Sequence, residues 1–404
     1  MPEKVSIVHC PDDDPISLTG AVAHALALLG SPLSRIRPRD RVLIKPNITA
    51  QDISWRQGVV TNPYLIRALI ELIREQNPGE ILVAEAIPFG LDVKKAFSFL
   101  GYDAIARETG VRLVDLYDEA FVHLPVRDGK VHRSMEISRP VLEADYLIVV
   151  PVLKTHVATE ISVCMKCLMG ILSVEQKRKF HFSGLCQSIM ELNSEVQPDL
   201  LVADGTVAGE GNGPMDNEPV GLGKVMAGTN SRAVDLVAAR LMGYEPEKID
   251  LFCMCTEQWG PLPETEIQIL GESIEKAVKP FKRPVTGVAP REGATQMNGN
   301  ACKTCAGVIE LALRRAEAMG LLDQLTPLRI SYGPEASRPP MDGNNLIVGK
   351  CLSHFKETGY FVPGCPPQVF LITDGLAEMA GHERKFGSGE GYMFSDTEFL
   401  SDSG

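Results

Sequence analysis

The chain has 404 residues, 44% hydrophobic and 23% charged, with a formal net charge of −12. That length accommodates two or three domains and at least one large core. The acidic balance excludes broad nucleic-acid backbone binding, which needs a basic face. No apolar run reaches the roughly 18 residues of a membrane span, and the start, Met1-Pro-Glu-Lys-Val, lacks a signal-peptide core. The expectation is a cytoplasmic protein with neither nucleic-acid nor membrane partners. Ten cysteines are too sparse for a disulfide scaffold, and a reducing compartment favours metal or redox roles over bridges.

In chain order, residues 4–9 predict a strand and 18–29 a helix. Residues 41–47 predict a second strand, which Pro46 prevents from continuing as helix. Asn62 and Pro63 then open a helix whose apolar face holds Leu65, Leu69, Leu72 and Ile73. Residues 80–85 read as a buried strand, 93–100 as a helix and 111–116 as a strand, and 121–131 with its Asp-Gly turn reads as part of a hairpin. The run 146–152 is apolar and β-branched, as suits a strand buried on both faces. Ile161, Cys164, Met165, Leu168 and Leu172 recur at helical spacing and predict a packed helix. Between that strand and that helix lies the cationic turn Lys154-Thr155-His156. Residues 199–204 and 224–227 predict further strands, with a glycine-dense loop at 205–213 between them. Ser231 is expected to cap a helix that buries Val234, Val237, Ala238 and Leu241.

Alternating strands and helices call for an α/β fold, a mostly parallel sheet with helices on both faces. Residues 280–300 lose periodicity and read as a connection. Beyond them, a helix at 306–319 and strands at 328–332, 345–348 and 369–373 predict a smaller C-terminal α/β domain carrying a four-cysteine site. The expected division is 1–285 for an anion- or substrate-binding domain, 296–380 for a cysteine-rich cluster-binding domain and 381–404 for a mobile tail.

Open α/β sheets bind ligands outside the carboxyl ends of their strands. The residues there are Lys45, Glu85, Lys154 with His156, and Asp204 with Glu210. Such a set suits a small anion. Lys45 and Lys154 supply compact positive charge, and His156 can shuttle a proton near neutral pH. Asp204 and Glu210 can act as bases or share a divalent metal. The glycines of Glu210-Gly-Asn-Gly213 let backbone amides approach a ligand.

Several of these motifs together resemble the domain-of-unknown-function 362 family. They are Leu43-Ile-Lys-Pro-Asn47, Thr61-Asn-Pro63, Pro151-Val-Leu-Lys-Thr-His156, Lys166 followed by Leu168-Met-Gly170, Asp204-Gly205, Glu210-Gly-Asn-Gly-Pro214 and Ala227-Gly-Thr-Asn-Ser-Arg-Ala-Val-Asp235. The resemblance spans about residues 41–246, and Cys167 stands where that family commonly has Asn. It implies the fold, the cleft and a redox setting, since the family often accompanies iron–sulfur clusters. It adds Lys166, with Asn47 and Asn212 inside its motifs, to the substrate-binding set of Lys45 and Lys154. His156, Asp204 and Glu210 remain the expected catalytic groups.

Four cysteines fall in the smaller domain: Cys302-Lys-Thr-Cys305, Cys351 after Gly349-Lys350, and Cys365 in Val362-Pro-Gly-Cys-Pro-Pro367. A C-x-x-C turn can bring both thiolates to one site. The Cys351 and Cys365 loops resemble the cluster loop of the small electron-transfer subunits of respiratory complex I and nickel–iron hydrogenases, in which the cysteine before Pro-Pro holds a [4Fe–4S] cluster. Four such thiolates fit a [4Fe–4S] cluster, with structural zinc as the alternative. Cys164 and Cys167, three residues apart in an apolar stripe, are expected mainly to pack as small hydrophobes.

The leading expectation is an iron–sulfur oxidoreductase for a small anionic carboxylate or phosphate metabolite, fed by a ferredoxin-like donor. The rivals are an acid–base isomerase or lyase of a hydroxy or keto acid with only a structural metal, and a non-enzymatic small-anion carrier.

Overall fold

The computed structural model describes residues 2–383 apart from Asp13 and Phe89. The expected tail therefore lies, from residue 384 onward, outside the described residues. The chain divides into two compact units, Met1–Val285 and Thr286–Gly404.

The strands of the first unit are β1 (Glu3–His9), β2 (Arg41–Pro46), β3 (Glu80–Glu85), β4 (Arg112–Asp115), β5 (Phe121–Pro125), β6 (Ser134–Ser138), β7 (Tyr146–Val150), β8 (Val152–His156), β9 (Glu160–Ser162), β10 (Leu200–Asn212), β11 (Asp216–Gly228) and β12 (Ile267–Gly271). β5 and β6 form a separate hairpin, and the rest form a ten-stranded sheet in the order β12-β1-β11-β10-β7-β2-β3-β4, with β8 beside β10 and β9 against β8. The run β10-β7-β2-β3-β4 is parallel throughout. Antiparallel pairing is confined to β1–β11, β10–β11 and β8–β9 within this sheet.

Parallel strands covered on both faces must be apolar almost without interruption, and every residue of β7 is buried. Val42, Ile44, Ile148, Val150, Val202 and Val225 share one core with the helices Pro15–Leu28 and Pro63–Arg74. The alternating residues Leu43, Leu147, Val149, Leu201, Ala203 and Met226 are equally buried, and the helix Ser231–Leu241 packs against β1 and β11. Each of these helices starts on a side-chain cap: Asp14 accepts from the Ile16 and Ser17 amides, Asn62 from Tyr64, and Asn230, not Ser231, from Ala233.

Two expectations in this unit are corrected. The helix expected through residues 161–172 is a strand, β9, then one helical turn, Cys164–Cys167, and a 3-10 turn, Leu168–Ile171. The Asp235 carboxylate starts that turn by accepting the Cys164 and Met165 amides at 2.8 and 3.0 Å. The glycine-dense segment 205–213 is not a loop. β10 continues through it to Asn212, paired with β11 across a register shift between Gly205 and Val207.

The second unit holds β13 (Ala294–Asn298), β14 (Leu328–Tyr332), β15 (Asn344–Val348) and β16 (Tyr360–Val362), adjacent in that order and all parallel. β13 lies within the segment expected to be a connection. The strand expected at 369–373 is instead the start of a helix, Val369–Met379, which buries Ile372 and Leu376 four residues apart. A short apolar run does not by itself distinguish the two periods. No helix among the described residues is long and apolar enough to cross a membrane.

The close approach of Gly58 to β10 is testable. Gly58 has φ +66°, and a Cβ there would lie 2.1 Å from the Ala208 carbonyl oxygen. Gly58→Ala combines a clash with backbone strain and is expected to cost about 3 kcal/mol, read from urea unfolding. An unchanged midpoint would show that the turn and the strand can separate freely.

Candidate functional site at the carboxyl ends of the strands

β2 and β3 end on Lys45-Pro46 and Glu85. The Lys45 Nζ donates to Glu85 Oε2 and to the Pro46 carbonyl, both at 2.9 Å, and lies 3.6 Å from Cys167 Sγ. The two side chains of the ion pair are 1% and 2% exposed. Glu85 is satisfied further by the amides of Ile48 at 3.1 Å and Ala86 at 2.9 Å. Burial opposes the charge on Lys45, but Cys167 and Glu85 outweigh it and raise its pKa. Burial also raises the Cys167 thiol against the pull of Lys45. Burial disfavours the Cys167 thiolate, and Glu85 is the carboxylate hydrogen-bonded to Lys45. Gly170 covers the pair: a Cβ there would fall 2.1 Å from Glu85 Oε1 and 2.4 Å from Lys45 Nζ.

Three more lysines gather around this pair. Lys154, on β8, donates to the Val59 carbonyl at 2.6 Å and to Thr49 Oγ1 at 3.1 Å. Burial, then the charge of Lys166, pulls its pKa down to about 7. Lys177, in the helix Val174–Ser183, donates to the Ala86 carbonyl at 2.6 Å and to Tyr117 Oη at 2.7 Å. Burial lowers it to about 7, with Glu85 opposing the shift and Lys45 adding to it. Lys166, in the turn Cys164–Cys167, is lowered by burial to about 8 and has no hydrogen bond or ion pair among the described residues. Glu85 is the one carboxylate hydrogen-bonded to a lysine of this cluster among the described residues.

His156 Nδ1 accepts the Ala158 amide at 3.0 Å, so in the neutral ring the proton sits on Nε2. Burial, then Lys166, Lys154 and His181, holds its pKa well below the ordinary histidine value. The expectation of a ring that titrates near neutral pH is corrected: His156 is a neutral imidazole offering an Nε2 proton.

The expected acids serve the backbone. Asp204 Oδ2 accepts the Asn62 amide at 2.7 Å, and Oδ1 accepts the Thr206 amide and hydroxyl at 3.0 and 2.7 Å. Burial raises its pKa and those bonds resist the rise. Glu210 accepts the Lys282 amide at 2.8 Å, and Asn212 Oδ1 accepts the Val285 amide at 3.0 Å, so both hold the segment after Lys282. The Asn47 amide donates to Thr61 Oγ1 at 2.8 Å. Lys45, Lys154, His156 and Lys166 are thus brought together, whereas Asp204, Glu210 and Asn212 clamp other elements. Sequence reasoning missed Lys177: in Glu175-Gln-Lys-Arg-Lys179 it is indistinguishable from a solvated helix face, and only burial reveals it.

In the second unit, Cys302 caps the helix Lys303–Ala318 and Cys305 lies in its first turn. Cys351 follows β15 and Cys365 follows β16. Because the four strands are parallel, all four cysteines fall at the sheet's carboxyl edge. The Cys305 thiol is held up first by its hydrogen bond to Cys302, then by burial, and it feels Cys351 and Cys365 as well. Burial raises Cys351, while amides including those of Gly333 and Leu352 point at its sulfur and oppose the rise. No group of three or more His, Cys, Asp or Glu among the described residues is placed to hold a single metal ion.

The lysine cluster makes stability depend on pH. A lysine whose folded pKa is depressed binds fewer protons folded than unfolded, so stability rises with pH between the two values. For Lys154 that window runs from about 7 to its ordinary 10.5. Chemical denaturation across pH 8–10 is expected to show a slope roughly 1.4 kcal/mol per pH unit smaller in Lys154→Met than in the parent chain. Equal slopes would mean that Lys154 is not desolvated.

The thylakoid-associated protein sll1697 of Synechocystis sp. (strain ATCC 27184 / PCC 6803 / Kazusa) is 25% identical over 255 residues, covering 62% of this chain and 77% of that protein. Among solved structures, the lactate racemase apoprotein from Thermoanaerobacterium thermosaccharolyticum aligns with a TM-score of 0.41 at 13% identity, covering 87% of this chain and 70% of that one. A Thermotoga maritima protein aligns with a TM-score of 0.31 at 10% identity, covering 54% of this chain and 56% of its own. Residues 42–240, which include Lys45, Lys154, His156, Lys166 and Lys177 but none of the second unit's cysteines, match the family described as a domain of unknown function (DUF362).

Proposed function

We propose that the chain is a cytoplasmic iron–sulfur oxidoreductase acting on a small anionic metabolite, a carboxylate or phosphate, with electrons from a ferredoxin-like donor. The lysine cluster carries this proposal. Lys154, Lys166 and Lys177 are held near 7, 8 and 7 because burial strips their water and too little negative charge replaces it. An entering anion supplies that charge, so binding and protonation reinforce each other. The neutral His156 adds a hydrogen-bond donor that costs the site no further positive charge.

For the cofactor, Cys302, Cys305, Cys351 and Cys365 would hold a [4Fe–4S] cluster, which when bound supplies one-electron transfer. What supports this reading is that four thiols follow the carboxyl ends of one parallel sheet and that backbone amides point at Cys351. Gly349 has no side chain to crowd that sulfur, since even a Cβ there would lie 3.4 Å from it. A structural zinc ion held by the same four thiolates is the alternative. The isomerase or lyase alternative loses support because Asp204 and Glu210 are engaged with backbone amides.

Protein purified without oxygen is expected to carry roughly four irons and four sulfides per chain, and Cys302→Ser with Cys365→Ser to lose the visible absorbance. A colourless protein with stoichiometric zinc overturns the redox assignment. For the anion, calorimetry with inorganic phosphate and with oxalate at pH 8, in buffers of different ionisation enthalpy, is expected to show proton uptake for at least one of them. Lys154→Met should weaken that binding at least tenfold, about 1.4 kcal/mol or more. Binding that leaves the proton count and the variant's affinity unchanged refutes the site.

A further inference from the structure

The loops that leave the carboxyl edge of β13–β16 are laced together. The Gly299 amide donates to the Tyr332 carbonyl at 2.8 Å and the Glu335 amide to the Gly299 carbonyl at 2.9 Å, joining the loops after β13 and β14. The Gly349 amide donates to the Val362 carbonyl and the Lys350 amide to the Gly364 carbonyl, both at 2.9 Å, joining the loops after β15 and β16. On this edge Cys302, Cys351 and Cys365 are exposed. Lys303 follows Cys302 and Lys350 precedes Cys351, and both lysines are exposed as well. Lys350 opens the 3-10 helix Lys350–Thr358, in which residues three apart eclipse, so Lys356 stands on its row. Lys303 is the first residue of the helix Lys303–Ala318, the helix end at which a cation is disfavoured. None of these three side chains, nor that of Arg338 in the loop after β14, has a hydrogen bond or ion pair among the described residues. By contrast, Arg291 and Arg314 pair with Glu310, and Arg329 with Asp342. The carboxylates of the same loops are Glu335, which accepts Asn300 Nδ2 at 2.5 Å, and Glu357, on another row of the 3-10 helix.

We propose that this edge docks an acidic electron carrier of the ferredoxin class, steered by Lys303, Lys350 and Lys356 onto the face where the cysteines are exposed. The proposal rests on the iron–sulfur reading and adds to it the docking face and the charge of the partner. The chain as a whole carries −12, so an acidic protein is repelled by much of its surface and drawn to places where unpaired cations stand together. Complementary charge on an exposed rim sets encounter rate and orientation more than final affinity, and salt screens it. Both properties suit a carrier that docks in one orientation and then leaves. The cation at the start of the helix Lys303–Ala318 opposes the helix dipole, so helix stability does not explain its presence there.

The test measures binding of the full chain, purified without oxygen, to a two-cluster [4Fe–4S] ferredoxin by biolayer interferometry. Affinity is expected to fall about tenfold between roughly 50 and 300 mM salt. Lys350→Glu with Lys356→Glu should weaken binding about tenfold at low salt, whereas Lys95→Glu, which reverses an exposed cation of the first unit, should leave it within about twofold. Lys303→Glu should weaken binding while its urea midpoint holds or rises, because a carboxylate suits that helix end; lost docking is thereby separated from lost folding. Iron content and visible spectrum should match the parent in every variant. Absent binding, or binding that ignores salt or survives the charge reversals, overturns the docking face and leaves the cluster standing. Loss of iron in the reversed variants shows that the lysines serve the cluster and overturns the docking face as well. A parent chain that holds zinc and no iron removes the cluster reading and the docking with it.

Discussion

The interior of the large unit depends on how a buried ammonium group is kept charged. Lys45 lies where burial alone would strip its proton, and Glu85 on the adjacent strand prevents this. The carboxylate can do so because it is itself held by the Ile48 and Ala86 amides, so neither partner is left with an unmet demand. A buried ion pair is weak evidence for net stability, since desolvation offsets much of the attraction. Its consequence here is positional. It ties the carboxyl ends of β2 and β3 together, and it fits beneath the turn Leu168–Ile171 only because residue 170 has no side chain.

The other three lysines show what happens without such a partner. Carbonyl and hydroxyl acceptors satisfy the hydrogen bonds of Lys154 and Lys177 but bring no full negative charge, so both pKa values fall to about 7. For Lys154, lowered from 10.5 to about 7, the protonated form is disfavoured by on the order of 5 kcal/mol relative to water. A negative charge brought beside Lys154 would remove that penalty. A surface patch of four lysines would carry no such penalty, since water and salt would already screen it.

The parallel sheet was legible because strands buried on both faces write long apolar runs, and residues 41–47, 80–85 and 146–152 do so. The strand-end rule names Lys45, Glu85, Lys154 and His156 for the same reason. It names Asp204 and Glu210 as well, which accept backbone amides in the structure, because a carboxylate that brackets amides looks identical in sequence to one that faces a ligand. The turn Cys164–Cys167 was read as part of a longer helix because its start is set by Asp235, about seventy residues away. Lys177 was invisible for a related reason: its helix carries charge on several sides, and only tertiary packing decides which charge is buried. In the second unit, the residues of the helix Val369–Met379 were few and apolar enough to suit either period.

Both units place their chemically active residues beyond the carboxyl ends of parallel strands, yet they gather opposite kinds of group. In the large unit ammonium groups gather near the strand ends, and among the described residues Lys45 alone of them has a hydrogen-bonded carboxylate. In the small unit the strand ends collect thiols, and what four neighbouring thiols lack once deprotonated is positive charge, which explains why Cys302, Cys351 and Cys365 all push Cys305 toward its neutral form. The amides aimed at Cys351 supply a little of that charge. Each site is thus electrostatically incomplete in the opposite sense. Burial makes the incompleteness costly in both, and a ligand of the missing sign relieves it.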